Sequence, residues 1–223
     1  KTFGNSPFYI NSTERNEIIP TKFENAMILS PENWGPSMES EIEQLINLGT
    51  WVLIPISSLK KGSNITGTTW AFRIKSDGRY RSRLCAQGFS QRFGIDYWDV
   101  YSSVATIESI RVAISLAAAN KRRLSTFDVK NAFQNTDLPK DEEVHCKQAP
   151  GFEVDPNDPD ESNQLLMKWF ESLGLKIPKT INSKDKLVLK LRKALQGLKS
   201  SGRYFQQTLF AWLISENFRQ LKS

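Results

Sequence analysis

The chain has 223 residues, 39% of them hydrophobic and 24% charged, which is enough apolar content for one domain or two small ones. No apolar run is long enough to span a membrane, and the polar start Lys1-Thr2-Phe3-Gly4-Asn5 carries no signal-peptide pattern. Net charge is +6, which favours a polyanionic partner without establishing one. Lacking an initiator Met, the chain is expected to be a piece of a longer protein. Cys85 and Cys146 lie far apart, define no disulfide framework, and read as reduced core residues of an intracellular protein.

Residues 1–33 are polar, with scattered Pro and Asn and little periodicity, and read as a linker or upstream segment. A helix is expected from near Pro36, with Trp34, Met38, Ile42 and Leu45 on one face and Gly49 ending it. Thr50 to Pro55 reads as a strand. Trp70 to Lys75 alternates, Asp77-Gly78 turns, and Tyr80 to Ala86 returns, a hairpin pattern. On the return strand Arg81 and Arg83 share a face, and Lys75 lies near the tip. Guanidinium and ammonium groups there suit phosphate, although exposed charge is equally the norm on a solvated surface.

Ser109 to Asn120 reads as a helix with Ile110, Ala113, Ile114 and Ala117 inward. The segment Leu124-Ser125-Thr126-Phe127-Asp128-Val129-Lys130-Asn131-Ala132-Phe133 reads as an apolar strand with one acid near its end. A lone carboxylate there costs free energy unless it is paired or holds a cation; the plainer alternative is an acid capping the next turn. Glu142 to Cys146 reads as another strand, on which His145 and Cys146 point to opposite faces and do not chelate together. An acidic, Pro-rich loop follows from Pro150 to Ser162. A short helix then carries Leu166, Trp169, Phe170 and Leu173 and closes at Gly174. Leu187 to Leu191 reads as a strand, Leu195 to Leu198 as a turn, and the last helix presents Phe205, Leu209, Trp212 and Leu213. Base is concentrated from Lys184 to Arg203, as a solvated face or a track for a phosphate backbone.

Eight segments together have a pattern. Trp34–Trp51, Trp70–Lys75, Arg83–Gln91, Gly94–Tyr97, Ser109–Arg111, Asp128–Phe133, Ala149–Phe152 and Lys193–Lys199 resemble, in order and nearly in spacing, the reverse transcriptase of copia-type LTR retrotransposons. The resemblance covers about residue 34 to the end. It implies an α+β, right-hand polymerase fold with the fingers and a partial palm, an incomplete antiparallel sheet with packed helices. It implies RNA-directed DNA polymerase chemistry on two Mg²⁺ ions about 3.5–4 Å apart. By this resemblance Asp128 is the first palm acid and a metal ligand, joined by the backbone carbonyl of Val129. Phe133 is the steric gate against a 2′-hydroxyl. Lys75, Arg81 and Arg83 hold the incoming triphosphate, and Gln196 and Gly197 line the nucleotide pocket. The implied partners are an RNA or DNA template-primer, deoxynucleoside triphosphates and the remainder of a Pol polyprotein, in a cytoplasmic particle.

The sequence departs from that pattern in places. No Asp-Asp pair occurs in the 223 residues, so the family's second acidic motif is absent and the isolated chain is expected to be inactive. Gln134 stands where the family commonly has Leu, and Gln196 where copia-type sequences have Tyr. A non-catalytic, nucleic-acid-binding remnant is the alternative.

Overall fold

A computed structural model of the chain describes residues 8–10, 18–179, 181–183 and 185–218; Lys184 of the basic segment and much of the expected linker lie outside them. In chain order, β1 (Phe8–Ile10) pairs antiparallel with β2 (Ile18–Pro20), and α1 (Phe23–Leu29) and α2 (Pro31–Asn47) follow. Residues 18–30 therefore do not behave as a linker: Ile19 and Ala26 are buried in the core. The apolar residues here, Ile18, Ile19, Phe23 and Ala26 to Leu29, fall in short clusters rather than at a regular period, and only Ile19 and Ala26 of them are fully buried. Helix α2 begins five residues before the expected Pro36, because Pro31 occupies the first turn, where a missing N–H costs nothing. Gly49, at φ 66°, ends it.

The central sheet has the order β3-β8-β7-β4, from β3 (Trp51–Pro55), β8 (Leu187–Leu191), β7 (His145–Cys146) and β4 (Ile65–Thr66). β8 pairs antiparallel with both β3 and β7, whereas β4 and β7 run parallel. The sheet is thus mixed rather than wholly antiparallel. Leu187, Val188, Leu189 and Leu191 are all buried, as expected of an inner strand covered on both faces.

Beside this sheet stands the hairpin of β5 (Thr68–Ile74) and β6 (Tyr80–Ala86), turned at Gly78 with φ 83°. Trp34, Met38, Ile42 and Leu45 of α2 are buried beneath it, each worth about 1.5–3 kcal/mol of apolar burial. Trp34 meets Phe72 edge-on at 5.0 Å and Tyr80 at 4.5 Å between ring centroids. Helix α2 also covers the free edge of β6. Ser37 Oγ accepts the Ser82 N–H at 2.8 Å, and Glu41 Oε1 accepts the Leu84 N–H at 3.3 Å. An edge capped in this way is closed to pairing with another chain.

Two expectations fail between residues 107 and 133. Helix α3 (Ile107–Ala119) forms, capped by Thr106 Oγ1 on the Ser109 N–H. Of its expected inward face only Ala117 is buried, while Ile110 and Ile114 are 44% and 50% exposed. The segment from Leu124 to Lys130 is not a strand: among the described residues it has no ladder partner, and a strand exists only through its partner's hydrogen bonds. Downstream, α4 (Glu161–Ser172) and α5 (Ser201–Ser215) form as expected. On α5 the buried residues are Ser201 and Tyr204, and Trp212 is exposed. No helix among the described residues is long and apolar enough to cross a membrane.

Candidate active site

The hairpin places its cations by strand alternation. Directly opposite residues are Arg73 with Arg81 and Ala71 with Arg83, so Arg73, Arg81 and Arg83 share the outer face, with Lys75 two residues beyond Arg73. The opposite face, with Trp70, Phe72, Ser82 and Leu84, is buried. Arg73 was missed in the sequence reading although period-two alternation from Lys75 points to it. A negative partner was missed as well. Glu41 of α2 lies at the free edge of β6; burial raises its carboxyl above the usual range, against the Leu84 N–H and the charges of Arg83 and Arg81, which lower it.

Three chain segments distant in sequence converge at the base of the hairpin. The Ala86 N–H donates to the Gln196 carbonyl at 2.7 Å, and the Lys199 N–H donates to Gln91 Oε1 at 2.9 Å. The approach is so close that two glycines are required. A Cβ on Gly88 would sit 2.1 Å from the Gly197 carbonyl oxygen, and one on Gly197 would sit 2.1 Å from the Ala86 carbonyl oxygen. Gly197 is also at φ 88°, a region that side chains other than glycine's disfavour. The third segment, 131–138, is laid along the same turn: the Ala194 N–H donates to the Thr136 carbonyl and the Leu138 N–H to the Arg192 carbonyl, both at 2.9 Å. Asn131 takes the left-handed conformation at φ 53°, which bends the chain there.

This bend sets Phe133 half-buried against Phe205, ring centroids 6.2 Å apart and perpendicular. The next residue, Gln134, is buried and its Nε2 donates to Gln196 Oε1. Of the sequence-predicted residues, Phe133, Gln196 and Gly197 therefore fall in one neighbourhood. Lys75, Arg81 and Arg83 lie progressively along the hairpin that rises from it. Asp128 is exposed, on the unpaired segment before the bend, and Val129 is half-buried.

Asp128 does not sit among other acids. Among the described residues no group of three or more His, Cys, Asp or Glu side chains is placed to hold a metal ion. Magnesium takes several hard oxygen ligands, so these residues alone do not fit a two-ion centre. Glu142 is a buried acid whose Oε1 accepts from Tyr204 Oη, while its Oε2 is buried without a partner among the described residues. Burial raises the Glu142 carboxyl, opposed by that hydrogen bond.

Comparison with known proteins gives the family. Residues 49–168 match the family described as Reverse transcriptase (RNA-dependent DNA polymerase). The chain is 32% identical over 187 residues to the Retrovirus-related Pol polyprotein from transposon TNT 1-94 of Nicotiana tabacum, covering 82% of this chain and 12% of that protein. It is 33% identical over 195 residues to the corresponding polyprotein from transposon RE1 of Arabidopsis thaliana, covering 85% of this chain and 11% of that one. A third relative, the Uncharacterized mitochondrial protein AtMg00820 of Arabidopsis thaliana, is 35% identical over 94 residues, 40% of this chain and 54% of its own length. No solved structure matches the chain. The 223 residues thus span about a tenth of the polyproteins they match. With the family match covering more than half of its length, the chain belongs to the reverse transcriptase (RNA-dependent DNA polymerase) family, as a segment of the kind found in retrotransposon Pol polyproteins.

Proposed function

We propose that the chain is the fingers and first part of the palm of a right-hand, RNA-directed DNA polymerase that copies retrotransposon RNA into DNA. In this reading Lys75, Arg81 and Arg83, with Arg73 beside them, meet the triphosphate of an incoming deoxynucleotide. Phe133 gates the sugar, and Gln196 and Gly197 line the pocket. Asp128 and the Val129 carbonyl contribute to a magnesium shell whose other carboxylates come from outside these residues. A template-primer, deoxynucleoside triphosphates and the rest of a Pol polyprotein are its partners, within a cytoplasmic particle. The observation that carries the reading is the convergence of the hairpin base, the Phe133 bend and the Gln196-Gly197 turn. These are separate stretches of sequence, and in each the resemblance to the family falls on residues it implies handle the nucleotide. Positioning and charge neutralisation are the main demands of phosphoryl transfer, and the hairpin cations supply the second.

The test is magnesium-dependent primer extension on an RNA template by the complete polymerase that contains this segment. Incorporation that disappears with Asp128→Asn supports the reading, as does its absence from the isolated 223-residue chain. Undiminished incorporation in Asp128→Asn overturns the role of Asp128. A second reading, a basic remnant that grips template-primer without chemistry, is favoured by the solitary exposure of Asp128. It requires binding by the isolated chain that weakens steeply as salt rises; salt-independent binding counts against it.

A further inference from the structure

Gln134 is 2% exposed, and its Nε2 donates to Gln196 Oε1 across 62 positions of sequence. Its own Oε1 is buried without a partner among the described residues. Burying a primary amide with one half unsatisfied is unfavourable, and an apolar side chain of the same length would fill the space without that penalty. The contact therefore does something other than pack. Gln196 is pinned at two points. Its backbone carbonyl takes the Ala86 N–H at the base of the hairpin, and its side-chain oxygen takes the Gln134 amide. A glutamine amide has one acceptor oxygen and one donor nitrogen. With the oxygen held inward, the half left for a ligand is the Nε2 donor.

We propose that Gln134 is a positioning residue for the nucleotide pocket. It fixes the Gln196 carboxamide so that Nε2 is presented as a hydrogen-bond donor to an acceptor oxygen of a bound deoxynucleotide. This rests on the polymerase reading above, in which Gln196 lines that pocket. The two glutamines act as one unit: the residue after the sugar gate selects which face of the pocket-lining amide the ligand meets. The hairpin cations attract phosphate whatever the state of Gln134, so the effect is selective for ligands that reach Gln196.

Side-chain amide NMR of the isotope-labelled 223-residue chain, titrated with dTTP and separately with inorganic tripolyphosphate, tests this. Gln134→Met keeps the length and removes the hydrogen bond. It is expected to weaken dTTP by about three- to tenfold, the worth of one oriented hydrogen bond, and to leave tripolyphosphate unchanged. Gln134→Glu keeps the length and replaces the donor with an acceptor. It is expected to draw the Gln196 amide inward, so its Nε2 protons exchange more slowly while dTTP again weakens. This variant also guards against a folding defect in the first. Thermal melting of both variants, with the double variant Gln134→Met/Gln196→Met, separates a packing role: pure packing predicts a melting shift with no difference between the two ligands. Unchanged dTTP affinity in both variants, with dTTP still bound by the parent, overturns the role of Gln134 and leaves the polymerase reading standing. No saturable shift of Gln196 with dTTP in the parent chain overturns its place in a nucleotide pocket, and the role of Gln134 with it.

Discussion

The contact between Gly88 and Gly197 joins the hairpin to the pocket turn, and alanine scanning of glycines measures it. Gly88 lies outside the left-handed region, so Gly88→Ala carries no backbone strain and acts only through the Cβ that would sit 2.1 Å from the Gly197 carbonyl oxygen. Carbonyl oxygens of a pinned turn do not rotate away, so the segments must separate. Overpacking of this kind costs about 1–3 kcal/mol. Gly197→Ala adds a left-handed φ to a clash of the same depth with Ala86; the backbone alone contributes about 1–2 kcal/mol, for a sum of about 2–5 kcal/mol. Gly35, inside α2, has nothing within 4 Å of its Cβ position, and Gly35→Ala should stabilise by about 0.5–1 kcal/mol through helix propensity alone. For a chain of this size each kcal/mol moves the melting temperature by about 2–4 °C. The expected order of melting is therefore Gly35→Ala above the parent, then Gly88→Ala, then Gly197→Ala, read by circular dichroism. A Gly88→Ala variant that melts within about 1 °C of the parent would refute the close approach, since about 2 °C is the least the clash predicts.

Three further outcomes rest on the buried Tyr204 and Cys146 and the half-buried Glu41. Tyr204 has its phenol raised from 10.0 by burial and by Glu142, so its contribution to stability is intact below pH 10 and is lost as pH rises beyond it. Tyr204→Phe should flatten that alkaline loss in urea denaturation and cost about 1–3 kcal/mol at neutral pH by leaving Glu142 without its donor; identical alkaline slopes in the two proteins would contradict this. The Cys146 thiol is pushed up by burial from 9.0 to about 12, which lowers its thiolate fraction about a thousandfold near neutrality. Iodoacetamide should therefore label Cys146 only on unfolding, and rapid labelling of the native chain would show that the sheet core is open there. Glu41→Gln keeps an acceptor for the Leu84 N–H and removes the negative charge beside Arg81 and Arg83. Tripolyphosphate should bind about two- to fivefold more tightly at low ionic strength, with the gain lost in high salt; no gain at low salt would mean the ligand avoids the hairpin face.

The hairpin was legible in the sequence because its signals are local. Alternation from Trp70 and the Asp77-Gly78 turn fix the register without outside help, and the face shared by Arg81 and Arg83 follows from it. Helix α2 was legible for the same reason, since Trp34, Met38, Ile42 and Leu45 recur at helical spacing. Residues 18–30 were not, because their apolar residues sit in short clusters, and which of them is buried, Ile19 but not Ile18 and Ala26 but not Ile28, is decided by the neighbours they meet. The parallel pairing of β4 with β7 was also out of reach: two-residue strands carry no period, and their direction is set by where the rest of the chain delivers them.

Asp128 separates two kinds of legibility. Its motif marks the residue, and the apolar run around it suggests a strand, yet the segment is unpaired and the carboxylate is exposed. Leu124 and Phe127 beside it are exposed too, at 59% and 71%, as are Ile110 and Ile114 of α3. Apolar side chains in such numbers are written for burial, so the pattern around Asp128 encodes a tertiary environment that these described residues do not complete. Gln134 is the opposite case. The sequence marks it only as a departure from the family's common Leu, but its partner lies within the chain, and the bend at Asn131 together with the 131–138 contacts delivers it to Gln196. Local sequence names a catalytic candidate that the described residues do not surround with acids, and the fold brings a buried side chain to Gln196 that helical or strand periodicity does not mark. The proposed nucleotide pocket therefore rests on more contacts within the described residues than the proposed metal centre does.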